Sequence, residues 1–190
     1  MAAEESRPAV FLCGPITNVT DGGTSGVMVR RAIEGIANRL ESAGFSVLSA
    51  HREELFGSRI PERPADVFRR DWHFTRISRA MVVVLPADVD GKLIRTDGTF
   101  MELGWAVALQ KPLFIVTDPG ATGRSYLFDG LLAAMPHINM FGLEDAMNGD
   151  ELLSRLQWEL RRSEQAIPTA CTLTLRCPSC GFASDSGGNP

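Results

Sequence analysis

The stretch Met81-Val82-Val83-Val84-Leu85 runs for five residues without a polar interruption. Side chains alternate between the faces of a strand, so a wholly apolar run needs cover on both. That is the pattern of an inner strand in a parallel sheet. Upstream, residues 65–79 read as a helix. Downstream, a loop over 86–98 leads to a helix from about Phe100 to Leu109, and a further strand follows at 112–117.

The same alternation extends to both ends of the chain. Val10-Phe11-Leu12-Cys13 is a short buried strand that ends at Gly14-Pro15, followed by a Gly/Thr/Asp-rich loop over 17–26. Ile33, Ile36, Ala37 and Leu40 recur at helical spacing, and Gly44 supplies the stop, because glycine tolerates a left-handed backbone. Residues 45–49 form the next strand, and 51–64 a polar loop. Residues 126–134 read as a helix and 137–141 as a short strand. A last helix, capped by Asp150, buries Leu153, Leu156 and Leu160. Five strands alternating with helices predict an α/β fold: a flavodoxin/Rossmann-like three-layer sandwich with a mostly parallel sheet. Such sheets bind ligands beyond the C-terminal strand ends, where the strand order reverses. The long loops 17–26, 51–64 and 86–98 lie at those ends.

The chain has 190 residues, 44% hydrophobic and 22% charged, with a net charge of −4. That suits one ordinary domain and gives no basic track for a nucleic acid polymer. No run approaches the roughly 20 apolar residues of a membrane span. Met1 to Arg7 is polar and acidic, unlike a signal peptide, so a cytoplasmic location is expected.

The sharpest chemical signal is Asp97-Gly98-Thr99-Phe100-Met101-Glu102-Leu103-Gly104-Trp105-Ala106. Read plainly, Thr99 and Glu102 form a capping box. Read as chemistry, Glu102 is a carboxylate in the first turn of a helix, kept ionised by backbone N–H groups and the helix dipole, and Gly98 and Gly104 allow close approach. Three further groups are candidates: Gly14-Pro15 after the first strand, the cluster Ala50-His51-Arg52-Glu53-Glu54 just after the second, and Arg70-Asp71-Trp72 on the helix before the third. Each alone also fits a tight turn, a polar loop or a solvated helix face.

Together, Phe11-Leu12-Cys13-Gly14-Pro15, Arg70-Asp71, the segment 98–106 and Lys111-Pro112 resemble the nucleoside 2-deoxyribosyltransferase superfamily. Gly26-Val27-Met28, Ala50-His51-Arg52 with Glu54 and Gly57, and Gly130-Leu131 resemble in particular its cytidine monophosphate N-glycosidases, from peptidyl-nucleoside antibiotic pathways. The resemblance covers about two-thirds of the chain, from Val10 to Leu131. It implies that Glu102 attacks C1′ of the sugar, that Asp71 assists, and that water or a second base replaces the departing base. It implies no catalytic cofactor.

Around them, the expected substrate-binding residues are Gly14, Pro15, His51, Arg52, Thr96, Asp97, Gly98, Thr99, Arg124 and Ser125. Thr96 stands six residues before Glu102, where transferases carry an aspartate that holds a sugar hydroxyl. Monophosphate-hydrolysing relatives carry a serine there for the 5′-phosphate. Ser125 resembles the phosphate-binding serine lent by a partner subunit, which implies a homodimer or higher oligomer with shared sites. Relatives also carry an arginine soon after the first-strand glycine, near the place of Thr17. Asp97 repels a phosphate, so Arg30, Arg52 or Arg124 is expected to compensate. The leading expectation is hydrolysis of a pyrimidine nucleoside monophosphate. A base-exchanging transferase and a non-catalytic nucleotide sensor are the alternatives.

The catalytic domain is expected over 1–168, with a Cys-containing tail over 169–190. Cys171, Cys177 and Cys180 form a partial zinc-knuckle pattern around Cys177-Pro178-Ser179-Cys180-Gly181. Tetrahedral zinc takes four ligands, so a structural site needs a histidine or a partner chain as the fourth; the alternative, which the incomplete ligand set favours, is a disordered tail.

Overall fold

A computed structural model describes residues 7–16, 24–59, 63–135 and 138–165. The expected tail and its cysteines lie outside these residues, as does most of the loop over 17–26. The strands are β1 (Ala9–Cys13), β2 (Ser46–Leu48), β3 (Ala80–Leu85), β4 (Leu113–Thr117) and β5 (Asn139–Phe141). They form one sheet in the order β2-β1-β3-β4-β5, every pair parallel. This is the flavodoxin-like order, with its switch point between β1 and β3.

All six residues of β3 are buried. Val82 and Val84 join one core cluster with Val10, Leu12, Phe114 and Val116. Met81, Val83 and Leu85 join a second with Phe11, Cys13, Leu113 and Ile115. The strand therefore has a core on each side, as its unbroken apolar run requires. Helix α1 (Thr24–Ser42) covers the first face with Ile33, Ile36, Ala37 and Leu40, all fully buried. It ends in a Schellman arrangement: Phe45 N–H donates to Leu40 and Gly44 N–H to Glu41, with Gly44 at φ +91°.

The expected polar loop over 51–64 is partly helical. It holds the short α2 (Ala50–Glu53) and a 3₁₀ turn at Leu55–Gly57. Helix α3 (Pro64–Ile77) then starts on a proline, which suits the first helical position because its missing N–H has no partner to lose. Helix α4 (Asp97–Ala108) and α5 (Tyr126–Ala134) follow β3 and β4. Leu103, Ala106 and Phe128 from α4 and α5, with Phe74 of α3, pack on the second face.

Helix α6 (Leu143–Asn148) was not expected, and α7 (Glu151–Gln165) follows it. The Asp150 carbonyl accepts the Ser154 N–H at the start of α7. Its buried stripe is Leu152, Leu156 and Leu160, with Leu153 only partly buried. Among the described residues no helix is long and apolar enough to cross a membrane.

Candidate active site

The site grows from the end of β1. After Cys13 the chain passes the switch point through Gly14, where a Cβ would lie 3.0 Å from the Val84 carbonyl and 3.1 Å from Ile33 Cδ1. A side chain at this position would have to displace Val84 or Ile33 by a few tenths of an ångström, so glycine suits the close departure of β1 from β3. Opposite, α4 brings Glu102 and Thr99, α3 brings Arg70 and Asp71, and α2 with the residue after it brings His51 and Glu54. These groups, with Cys13, Gly14, Thr96 and Gly98, line one recess of about 100 Å³.

Helices α3 and α4 are held together by rings. Trp105 meets Trp72 at 5.4 Å and Phe68 at 5.2 Å between centroids, both edge to face. Trp72 follows Asp71, and Trp105 lies three residues beyond Glu102. The packing that joins the helices thus also aligns their carboxylates toward the recess.

Asp71 is buried and held by one cation. Arg70 Nε donates to Asp71 Oδ1 at 2.8 Å, and Arg70 Nη2 donates to Glu54 Oε1 at 2.7 Å. The guanidinium forks between two carboxylates that are themselves nearly buried, a geometry lysine does not provide. Burial raises the Asp71 pKa, and Arg70 opposes that rise.

Glu102 corrects the expectation of an ionised carboxylate. Helix α4 begins at Asp97, three residues earlier than anticipated, so Glu102 is its sixth residue. The free backbone N–H groups belong to the first turn and lie out of its reach. Burial dominates instead, and with Asp71 beside it the pKa rises from 4.5 to about 8. A hydrogen bond from the Cys13 thiol, whose own pKa burial pushes well up, works the other way.

The capping box is replaced for the same reason. Thr96, not Thr99, caps α4: its Oγ1 accepts the Thr99 N–H at 3.3 Å, and the two hydroxyls meet at 2.8 Å. Nothing packs within 4 Å of where a Cβ would sit on Gly98 or Gly104, so neither is required for close packing within the chain. Gly98 borders the recess, whereas Gly104 is exposed.

His51 is 1% exposed, and neither ring nitrogen makes a hydrogen bond of ordinary geometry. Burial lowers its pKa from 6.5 to about 4, although the Pro15 carbonyl opposes this. The imidazole is therefore neutral at the recess wall, with the Pro15 carbonyl as an acceptor beside it.

Other expected residues lie elsewhere. Arg52 turns onto α1, where it binds Glu41 and donates to Asn38 at 2.8 Å. Asp97 is exposed and lines a second, larger groove that shares Thr96 with the recess. Ser125 caps α5, its Oγ accepting the Phe128 N–H at 3.2 Å, and Arg124 pairs with Asp129 at 3.4 Å. Neither lines the recess in this chain. Cys13, Glu54 and Arg70 belong to the site but were not among the expected binding residues. Their presence in the matched motifs was the available signal; the fork between Glu54 and Asp71 depends on tertiary packing.

No protein-family model and no curated protein matches the chain. Solved structures do match it in fold. One is BcmB, a CMP N-glycosidase of Clostridium botulinum, with a TM-score of 0.51 and 18% identity, covering 79% of this chain and 98% of that one. Another is BlsM, with a TM-score of 0.55 and 18% identity, covering 80% of this chain and 94% of that one.

Proposed function

We propose that this protein hydrolyses the N-glycosidic bond of a nucleoside 5′-monophosphate, with a pyrimidine base favoured, through a sugar ester on Glu102. The observation that carries this reading is the pair of buried carboxylates, Glu102 and Asp71, facing one recess at the switch point of the sheet. The motif resemblance and the shared fold with a CMP N-glycosidase support it.

In the first step a Glu102 oxygen bonds to C1′ while the C1′–N bond breaks and its electron pair leaves with the base. The base takes up a proton. At neutral pH the site holds one, because burial keeps Glu102 largely protonated; passing it through Asp71 leaves Glu102 anionic for attack. In the second step water adds at C1′, the ester bond breaks, and the proton from water returns to the carboxylate pair. Dividing one displacement into two lowers each barrier. The transition state is cationic at the sugar, and the negative field of Glu54, Asp71 and Glu102 exceeds the single charge of Arg70.

The test is a screen of ribo- and deoxyribonucleosides and their 5′-monophosphates, read by chromatography. The reading expects free base and sugar phosphate, with the monophosphate preferred over the nucleoside. Base exchange without net hydrolysis identifies a transferase. Nucleotide that binds and stays whole identifies a sensor.

A further inference from the structure

Beyond the ends of β3 and β4 lies a groove of about 550 Å³, which shares Thr96 as a lining residue with the recess around Glu102. Two loop segments build it and are stitched together. Leu93 N–H donates to Thr122 and Thr122 N–H to Gly91, both at 2.9 Å. Lys92 and Arg95 project from the first segment. The Lys92 stem lies so close to Gly123 that a Cβ there would fall 2.8 Å from Lys92 Cγ. Arg95 is stacked over Phe100 at 4.9 Å and donates to the Gly123 carbonyl at 3.4 Å.

Within one chain, the arginines expected to meet a phosphate each pair with a carboxylate away from the recess: Arg30 with Glu34, Arg52 with Glu41 and Arg124 with Asp129. Lys92 and Arg95 pair with no carboxylate among the described residues. Two carboxylates do share the groove. Asp88 Oδ1 is taken up by the N–H groups of Asp90 and Lys92, at 3.0 and 2.9 Å, and Asp97 is exposed at the start of α4. They limit the charge the groove accepts, which favours a single phosphate over a polyphosphate.

We infer that Lys92 and Arg95 bind the phosphate of a nucleoside monophosphate, making the β3–α4 loop the specificity element of the site. This rests on the proposed reading that the recess takes the sugar. Thr96, which borders both cavities, marks the passage from sugar to phosphate. A cationic pair preset by a glycine contact and a ring stack loses little side-chain freedom on binding.

The test is calorimetric titration of CMP and of cytidine into the full-length chain carrying Glu102→Gln, which prevents turnover. Lys92→Gln and Arg95→Gln are then added singly and together. The preference for CMP over cytidine should fall about ten- to hundredfold per lost charge, the scale of a charge-assisted hydrogen bond. Arg155→Gln, which removes the same charge from α7, should leave the preference unchanged. The inference is overturned if the double variant keeps the preference, if Arg155→Gln erodes it equally, or if CMP does not bind. The two readings separate cleanly. If the unsubstituted chain releases no base yet the preference depends on Lys92 and Arg95, hydrolysis fails and the phosphate site stands. If base is released and the preference ignores both residues, the reverse holds.

Discussion

Glu102 carries a cost that a structural glutamate would not. Its folded pKa of about 8 exceeds the ordinary 4.5, so the folded chain binds a proton there more tightly than the unfolded chain does. Stability from this group is therefore full below about 4.5 and is lost as pH rises toward 8. His51 has the opposite sign: its pKa falls to about 4, so its contribution is full above 6.5 and is lost as pH falls toward 4. Removing the Glu102 charge should relieve the alkaline penalty. Thermal melts of Glu102→Gln should show a Tm advantage over the parent that widens between pH 5 and 9; a constant or negative difference contradicts the protonated assignment. Asp71→Asn removes a charge that raises the Glu102 pKa. Base release should slow by roughly 10²- to 10⁴-fold, and the falling, alkaline limb of its pH profile, where the Glu102 proton is lost, should move to lower pH. A profile that keeps its midpoint would make Asp71 electrically remote from Glu102. The sequence showed both carboxylates, because their motifs are local. It did not show that Glu102 is neutral, because that depends on burial and on a neighbour 31 residues away in the chain.

At the scale of elements, a shift of three residues in one helix start changes the chemistry. Thr96 looked like a ligand residue and Thr99 like the cap; in the fold Thr96 takes the cap and still borders the recess. Capping threonines contribute about 1 kcal/mol. Thr96→Ala should therefore destabilise the chain by about that amount in chemical denaturation, while Glu102→Gln shows no loss of that origin. Equal stability of Thr96→Ala and the parent contradicts the cap. The long elements were legible because each carries a strong period: β3 through its apolar run, α1 through Ile33, Ile36 and Leu40 with the Gly44 stop. The short ones were not. Helix α2 has four residues and α6 has six, too few for a helical period to declare itself. Only Leu143 and Ala146 with the acidic Glu144 and Asp145 hinted at α6, and the tertiary contacts of Leu143 and Ala146 settle what so short a segment cannot.

Over the whole molecule, the sheet order places β1 beside β3 while α1 and α4 depart to opposite faces. The crevice between them is where residues distant in sequence (Gly14, His51, Asp71 and Glu102) converge. Alternating strand and helix patterns made that architecture readable; the fork of Arg70 between Glu54 and Asp71 needed the folded chain. Tyr126 and Leu127 are 96% and 83% exposed beside Ser125 and Arg124. We expect this segment to complete the pocket of a second subunit. Mixing inactive Glu102→Gln with a chain carrying Arg124→Gln and Ser125→Ala should restore part of the activity, because some mixed dimers contain one intact pocket. An inactive mixture with proven subunit exchange, or an active monomer, contradicts sharing. Whether Glu102 attacks C1′ is decided by chromatography of the base released from CMP by the parent and by Glu102→Gln. Attack by Glu102 requires free base and sugar phosphate in equal amounts from the parent and almost none from the variant, which stays folded. Intact CMP with the parent, or near-normal release by the variant, would contradict it.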